Sequence, residues 1–170
     1  MHTLTRLLTG GATLAVAVGG LLAPASLASA STPACGNADL SASYRHSDDG
    51  AGHSYGWIVL RNTSGHTCHT GGWGGLSYVG DGNGTQIGAA ARREGAAART
   101  YTLLPGQRLR SQVDEVTALN YPRGKCRPQH VDGFRVYVPN STLSQYVVHP
   151  TTGCRNHHVK LIDHEAYRRP

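Results

Sequence analysis

The 170-residue chain contains little of the material that usually builds a hydrophobic core. It has one Phe, one Met and two Trp, and beyond residue 30 Leu, Ile, Val and Phe make up only 23 of 140 residues. A content that low, combined with a high net charge, is typical of disordered chains. Here fifteen Arg and Lys against ten Asp and Glu leave only +5 over residues 31–170. Eight tyrosines and four cysteines replace the missing aliphatic side chains, so the composition predicts a small, cross-linked globular domain.

The size of the chain limits the fold classes that it can adopt. About 140 residues after a leader make one domain of ordinary size. They are too few for a barrel of eight βα units or for a two-domain nucleotide-binding enzyme. Beyond the first thirty residues, no apolar run is long enough to cross a bilayer.

The first thirty residues have the pattern of a cleaved export signal. A short basic start ends at Arg6, and residues 7–22 are apolar or small throughout. A proline and an A-x-A cleavage site at residues 28–30 follow. Four glycines make the stretch only weakly hydrophobic, which argues against an uncleaved membrane anchor. We therefore expect residues 1–30 to be a signal peptide and residues 31–170 to be a single secreted domain.

All four cysteines, Cys35, Cys68, Cys126 and Cys154, lie after the predicted cleavage site. Such a count is typical of disulfides formed in an oxidising compartment. Four cysteines allow three pairings, and we favour Cys35–Cys68 with Cys126–Cys154 because each loop then lies within one half of the chain. In the chain-entropy model, a loop of about thirty residues contributes roughly 3.5 kcal/mol of stability.

The histidines suggest a metal site as an alternative use of the same segments. His66, Cys68 and His69 lie close together in the sequence, and His157 and His158 could add further ligands. The chain has neither C-x-x-C nor H-x-x-x-H spacing, and a disulfide would remove Cys68 as a ligand. We therefore expect no metal and no cofactor.

Hydrophobic residues alternate with polar ones over short stretches separated by turn clusters, a pattern typical of β-strands. Strands are predicted at residues 40–44, 55–60, 76–79, 99–104, 108–116, 134–138, 145–149 and 159–163. Residues 88–99 are rich in alanine but have no apolar stripe, so we interpret them as a loop or an edge excursion. Seven or eight short strands at this spacing predict an all-β sandwich.

Several blocks of sequence, in a fixed order, carry a family resemblance. They are a cysteine near the mature start, AGHSY at 51–55, WIVLRNTSG at 57–65, TC at 67–68, LPG at 104–106, YP at 121–122, CRP at 126–128 and FRVYVPN at 134–140. Together they resemble the secreted actinobacterial family known as domain of unknown function 4232, over residues 35–165. The resemblance implies an immunoglobulin-like sandwich exported to the cell envelope or the medium. The Gly-Trp-Gly at residues 72–74 departs from the aromatic-proline pair that the family tends to have there. The family supplies no catalytic residues to transfer.

One motif suggests an enzyme. Residues 52–56 match the G-x-S-x-G nucleophile elbow of α/β-hydrolases, with Ser54 as the nucleophile. The chain also holds acids and histidines in the order that would complete a triad: Asp81, Asp114, His130 and His149. An elbow needs a strand before the serine and a helix after it, whereas here a turn-like segment precedes the motif and a predicted strand follows it. We expect Ser54 to be a hairpin residue and the protein not to be an enzyme.

Arginine dominates the basic residues, with fourteen Arg against two Lys. Arg108 and Arg110 would share one face of a strand, and guanidinium groups suit bidentate contact with phosphate. The alternative is a solvated basic surface that keeps an exported protein soluble. No aromatic residues are interleaved with the arginines in the sequence, so we expect no nucleic acid partner.

The two tryptophans have different settings. Trp57 lies in a predicted strand with two apolar faces and is expected to be part of the core. Trp73 lies between two glycine pairs, where it either contacts a sugar or a protein surface or folds back onto the sandwich. We expect Trp73, Arg108 and Arg110, rather than Ser54, to carry the contact function.

These observations predict an exported, non-enzymatic module of the cell envelope or the medium. The expected partner is an anionic cell-wall polymer, a glycan or a surface protein, and the chain is expected to be a monomer. The alternatives are a secreted hydrolase that uses Ser54 and a metal-binding protein that uses the histidines.

Overall fold

The structure is a computed structural model that describes residues 31–95 and 97–170, so the predicted signal peptide lies outside the described residues. Eleven strands form in the described part: β1 (Leu40–Gly50), β2 (His53–Asn62), β3 (Cys68–Gly71), β4 (Gly75–Gly80), β5 (Thr85–Ile87), β6 (Arg92–Glu94), β7 (Thr100–Leu103), β8 (Arg108–Val116), β9 (Pro128–Tyr137), β10 (Ser144–Cys154) and β11 (Ile162–Glu165). The described part also contains a 3-10 turn (Ala118–Asn120) and the helix α1 (Arg123–Cys126). Within these ranges, no helix is long and apolar enough to cross a membrane.

Most of the strands belong to two sheets that enclose one core. The first sheet has five strands in the order β1-β2-β8-β11-β6, and the second has four in the order β10-β9-β4-β5. β3 and β7 form a separate two-stranded sheet. Pairing is antiparallel except between β11 and β6, which run parallel. The architecture is a β-sandwich, which confirms the predicted fold class.

The five-stranded sheet has one buried face and one outer face. In β2, Ile58 and Leu60 are buried, and in β8, Leu109 and Val113 are buried. Side chains alternate across a strand, so the residues between these four point away from the core. This alternation positions the candidate functional residues described below.

Aromatic side chains fill the part of the core that the small number of aliphatic side chains leaves empty. Phe134 of β9 is fully buried, and its ring centroid lies 5.4 Å from that of Tyr78 and 5.3 Å from that of Tyr44. Tyr78 comes from β4 and Tyr44 from β1, so this cluster joins the two sheets. Large aromatic side chains therefore compensate for the low aliphatic content.

The side chain of Gln145 connects the edge strands of the two sheets. Its Nε2 donates to the carbonyl of Leu40 at 2.7 Å, and its Oε1 accepts from the backbone N–H of Ala42 at 2.8 Å. β10 and β1 are edge strands with unpaired backbone groups, and these bonds satisfy two of them.

Two disulfides join Cys35 to Cys68 and Cys126 to Cys154, which confirms the favoured pairing. The first ties the N-terminal segment to the start of β3, and the second ties α1 to the end of β10. The sulfurs are buried, so both bonds belong to the core.

The strands differ from the predicted set mainly at short segments. β3, β5 and β6 were not predicted, because strands of three or four residues show too few alternations to detect. β11 begins at Ile162, three residues later than the predicted strand. The described residues of the 88–99 segment include the edge strand β6, which agrees with the interpretation as an edge excursion.

The prediction that Trp57 belongs to the core is wrong. Trp57 lies on the outer face of the five-stranded sheet and is half-buried, because its neighbours Gly56 and Ile58 take the inward positions of β2. The alternation could be read with either face inward, since Ile58 and Leu60 are as apolar as Trp57 and Val59.

Burial of His164 predicts a loss of stability at acidic pH. His164 is 3% exposed and contacts Ser111; burial and, next, the nearby Arg93 lower its pKa from 6.5 to about 4. The unfolded chain therefore binds the proton more tightly than the folded protein, and stability present above pH 6.5 is lost as pH falls towards 4. We expect this group to contribute about 3 kcal/mol to the decrease. Urea unfolding at several pH values should show a weaker dependence over this window in His164→Gln; equal slopes would contradict the assignment.

Candidate functional site

The outer face of the five-stranded sheet carries charged side chains that the strand register sets in rows. Along β2 the rows are Arg61 with Arg108; Val59 with Ser43 and Arg110; Trp57 with Arg45 and Gln112; and Tyr55 with Asp48, Asp114 and Asp163. Residues that are paired across antiparallel strands lie on the same face. One end of this face is therefore basic and the other is acidic.

We call the basic end the basic patch: Arg45, Arg61, Arg108, Arg110 and Arg168. Arg168 joins it through a β-bridge with Arg110. In the described part of the chain, Arg168 alone among the five forms an ion pair, with Glu165 at 2.5 Å. Arg61 and Arg108 lie directly opposite each other, and like charges in that position are destabilising. The strand pairing therefore places these two positive charges side by side at a cost to folding stability.

Trp57 supports two guanidinium groups of the basic patch. The Cζ of Arg110 lies 4.2 Å from the centroid of the indole ring, and the Cζ of Arg168 lies 5.3 Å from it. Both distances allow cation–π attraction. The Nε–H of Arg110 is buried and has no acceptor among the described residues. The tryptophan thus fixes Arg110 and Arg168, and of these two Arg110 has no acidic partner among the described residues.

The acidic end surrounds a shallow cavity of about 410 Å³. Its acids already have partners: Asp114 accepts from His53 at 2.6 Å, and Asp163 accepts two hydrogen bonds from Arg92, at 2.5 and 2.6 Å. The bidentate bond with Asp163 raises the pKa of Arg92. Asp163 is therefore paired with a cation, and Asp114 is hydrogen-bonded to an imidazole, so both carboxylates are already bonded within the protein.

Trp73 lies apart from the basic patch. It is half-buried, and its indole Nε1 donates to the carbonyl of Glu94 in β6 at 3.1 Å. β6 is the edge strand of the sheet, separated from β8 by β11. The structure therefore brings Arg108 and Arg110 together, as predicted from their spacing, but it shows no contact between them and Trp73 among the described residues.

Ser54 is the second residue of β2, directly after the turn at Ala51 and Gly52. It thus lies in a hairpin, as expected, and not on a strand-to-helix elbow. Its cross-strand partner is Glu115, and it lines a cavity of about 260 Å³ together with Glu115 and His149. His149 uses Nε2 to bond Glu115 at 2.9 Å. Among the described residues no hydrogen bond joins Ser54 to His149, so the three side chains do not form a triad.

Three of the residues considered as metal ligands have other partners. Cys68 is in a disulfide, His69 Nδ1 bonds the carbonyl of Thr32 at 2.8 Å, and His157 Nδ1 bonds the carbonyl of Gly88 at 2.8 Å. Within residues 31–95 and 97–170, no three His, Cys, Asp or Glu side chains are grouped to hold a metal ion.

Sequence reasoning found two of the five arginines and missed the rest of the basic patch. Arg108 and Arg110 share a strand, so period-two spacing indicates a common face. Arg61 and Arg45 come from other strands and Arg168 follows β11, and only the strand register brings them together. Trp57 was missed because it reaches the arginines from a neighbouring strand.

Fold and surface together define a disulfide-linked β-sandwich with a polarised outer sheet face. The family model described as Domain of unknown function (DUF4232) matches residues 35–162, and the chain belongs to that family. No curated protein matches the chain, and no solved structure matches it.

Proposed function

We propose that the protein is an exported, non-enzymatic binding module whose basic patch holds an anionic cell-wall polymer. The observation that carries the proposal is the grouping of five arginines on one sheet face, four of them without an acidic partner in the described residues. Two buried disulfides support export, because such bonds persist in oxidising compartments.

The spacing of the basic patch suits a ligand with repeating charges. Arg108 and Arg110 are two residues apart on one strand, about 7 Å, and Arg61 lies across from Arg108 at about 5 Å. Guanidinium groups bind phosphate or carboxylate oxygens with two parallel hydrogen bonds. A polymer that carries phosphodiester or carboxylate groups at regular intervals would therefore contact several arginines at once.

The surroundings of Ser54 support a non-enzymatic function. A serine nucleophile needs a base that takes its proton, and among the described residues no hydrogen bond joins the Ser54 hydroxyl to the imidazole of His149.

A binding assay with immobilised polymers tests the proposal. The mature protein is applied to poly(glycerol phosphate), polygalacturonate, duplex DNA and neutral dextran at low and high ionic strength. We expect binding to the first two that weakens as salt rises. Arg108→Ala/Arg110→Ala should weaken it at least about tenfold, because each charged hydrogen bond contributes about 1.5–3 kcal/mol.

The matched control removes two positive charges elsewhere. Arg123→Ala/Lys125→Ala changes two exposed residues of α1 and should leave binding within about twofold of wild type. Trp73→Ala, included because its loop is an expected contact, should reduce binding less than the arginine pair does. Equal losses of binding affinity in both double variants would show that net charge alone explains the effect, and this would contradict the proposal. Tighter binding to DNA than to either polymer, or ester hydrolysis abolished by Ser54→Ala, would also contradict it.

A further inference from the structure

A second cavity lies at one end of the sandwich, away from the basic patch. It has a volume of about 260 Å³, and its walls come from the start of β2, the end of β8 and the middle of β10. The polar side chains that line it include Ser54, Thr117, Thr151 and Thr152, with Glu115 and His149. The ends of β-sandwiches, where loops meet, are common places for ligand binding.

The floor of this cavity is a buried carboxylate whose hydrogen bonds are already made. Glu115 is 3% exposed. Its Oε1 accepts from the Tyr44 hydroxyl at 3.1 Å, and its Oε2 accepts from the Tyr78 hydroxyl at 2.5 Å and from His149 Nε2 at 2.9 Å. Burial and, next, the charge of Glu115 raise the pKa of both tyrosines, so their hydroxyls stay protonated and remain donors.

Packing holds the imidazole of His149 in a fixed orientation. The ring of Phe134 stacks on it with a centroid distance of 4.6 Å and an angle of 4°, and the ring of Tyr44 lies 4.3 Å away. Among the described residues, its Nδ1 has no hydrogen-bond partner. A site built from side chains that cannot rotate binds a ligand with little loss of entropy.

The chemistry of the walls selects an uncharged ligand rich in hydroxyl groups. No Arg or Lys from the described part of the chain lines the cavity, and Glu115 would repel an anion. A cation would have to compete with the three donors that already bond this carboxylate. Apart from Tyr78 and His149, the other polar side chains of the lining are the hydroxyls of serine and threonine, which both donate and accept, as the hydroxyls of a sugar do. Val116, Ala118 and Leu119 add apolar surface.

We propose that this cavity binds a single uncharged sugar unit, independently of the polymer contact on the outer face. Its volume is below the range of about 300–1,000 Å³ that is usual for drug-sized ligands, which limits the ligand to about one ring. Ser54 and Thr151 would exchange hydrogen bonds with its hydroxyls.

Backbone amide NMR of the mature protein tests this proposal. Glucose, galactose, mannose and N-acetylglucosamine are titrated separately, with gluconate and glucosamine as charged comparisons. We expect at least one neutral sugar to shift the amide resonances around Ser54, Glu115 and Thr151 in a saturable way. Ser54→Ala/Thr151→Val should raise its Kd by about tenfold, because the double variant removes two hydrogen bonds to the sugar.

Two control variants separate this site from the rest of the molecule. Thr102→Val makes the same chemical change at an exposed position of β7 and should leave the Kd unchanged, and so should Arg108→Ala/Arg110→Ala. The proposal is overturned if no neutral sugar shifts these resonances in the folded wild-type protein. It is also overturned if the cavity variant binds as tightly as wild type, or if a charged analogue binds more tightly than its neutral parent. None of these results depends on whether the basic patch binds a polymer.

Discussion

Replacing Cys126 and Cys154 together by serine is expected to lower the free energy of unfolding by about 3.5 kcal/mol. The bond closes a loop with a sequence separation of 28 residues. Removing the bond increases the conformational entropy of the unfolded chain, and this lowers the free energy of unfolding. Cys35→Ser/Cys68→Ser opens a separation of 33 residues and should cost about as much. Urea unfolding followed by tryptophan fluorescence measures both losses.

Loss of both disulfides should leave the protein largely unfolded. The combined cost of about 7 kcal/mol is comparable with the whole stability of a small domain, about 5–15 kcal/mol. Wild type with and without a thiol reductant gives the matched comparison, because the sequence is unchanged. A reduced protein that keeps a cooperative transition within about 1 kcal/mol of the oxidised one would show that the core suffices without its cross-links.

The strands that the sequence predicted well are those in which alternation persists over many residues. β8 runs for nine residues, and Leu109, Ser111, Val113 and Glu115 mark its inner positions at every second residue. The disulfides could be predicted for a similar reason, since each joins cysteines within one half of the chain. The alternation of side chains along a strand and the separation between two cysteines can both be seen in a single sequence.

The basic patch could not be predicted in full because it depends on register. A shift of β2 by one residue against β8 would place Arg61 beside Leu109 and move Trp57 to the opposite face. The alternation of β2 does not decide between the two faces, because both are apolar at Trp57 and Ile58. Register is set by the turns and by the facing sheet, which sequence patterns describe poorly.

The same limit applies to the cavity beside Ser54. The motif drew attention to the serine, and chain order suggested Asp114 as its acid. The structure places Asp114 on the outer face with His53 and places the next residue, Glu115, on the inner face against His149. One position along a strand therefore separates a surface ion pair from a buried network.

Loss of the buried Glu115 carboxylate has the second large expected effect on folding stability. Glu115→Ala is expected to lower the free energy of unfolding by about 3–5 kcal/mol, because Tyr44, Tyr78 and His149 lose the acceptor that they share in the core. Urea unfolding at neutral pH measures the change, and Glu115→Gln, which keeps the shape and one acceptor oxygen, should cost less.

Asp114→Ala is the matched control, since it removes a carboxylate from the adjacent residue of the same strand. Asp114 and His53 are each about one-third exposed, and such surface pairs contribute about 0–1 kcal/mol. Similar losses in Asp114→Ala and Glu115→Ala would contradict the view that the network stabilises the fold. A large loss confined to Glu115 would mean that the floor of the cavity is held rigid by the same bonds that join the two sheets.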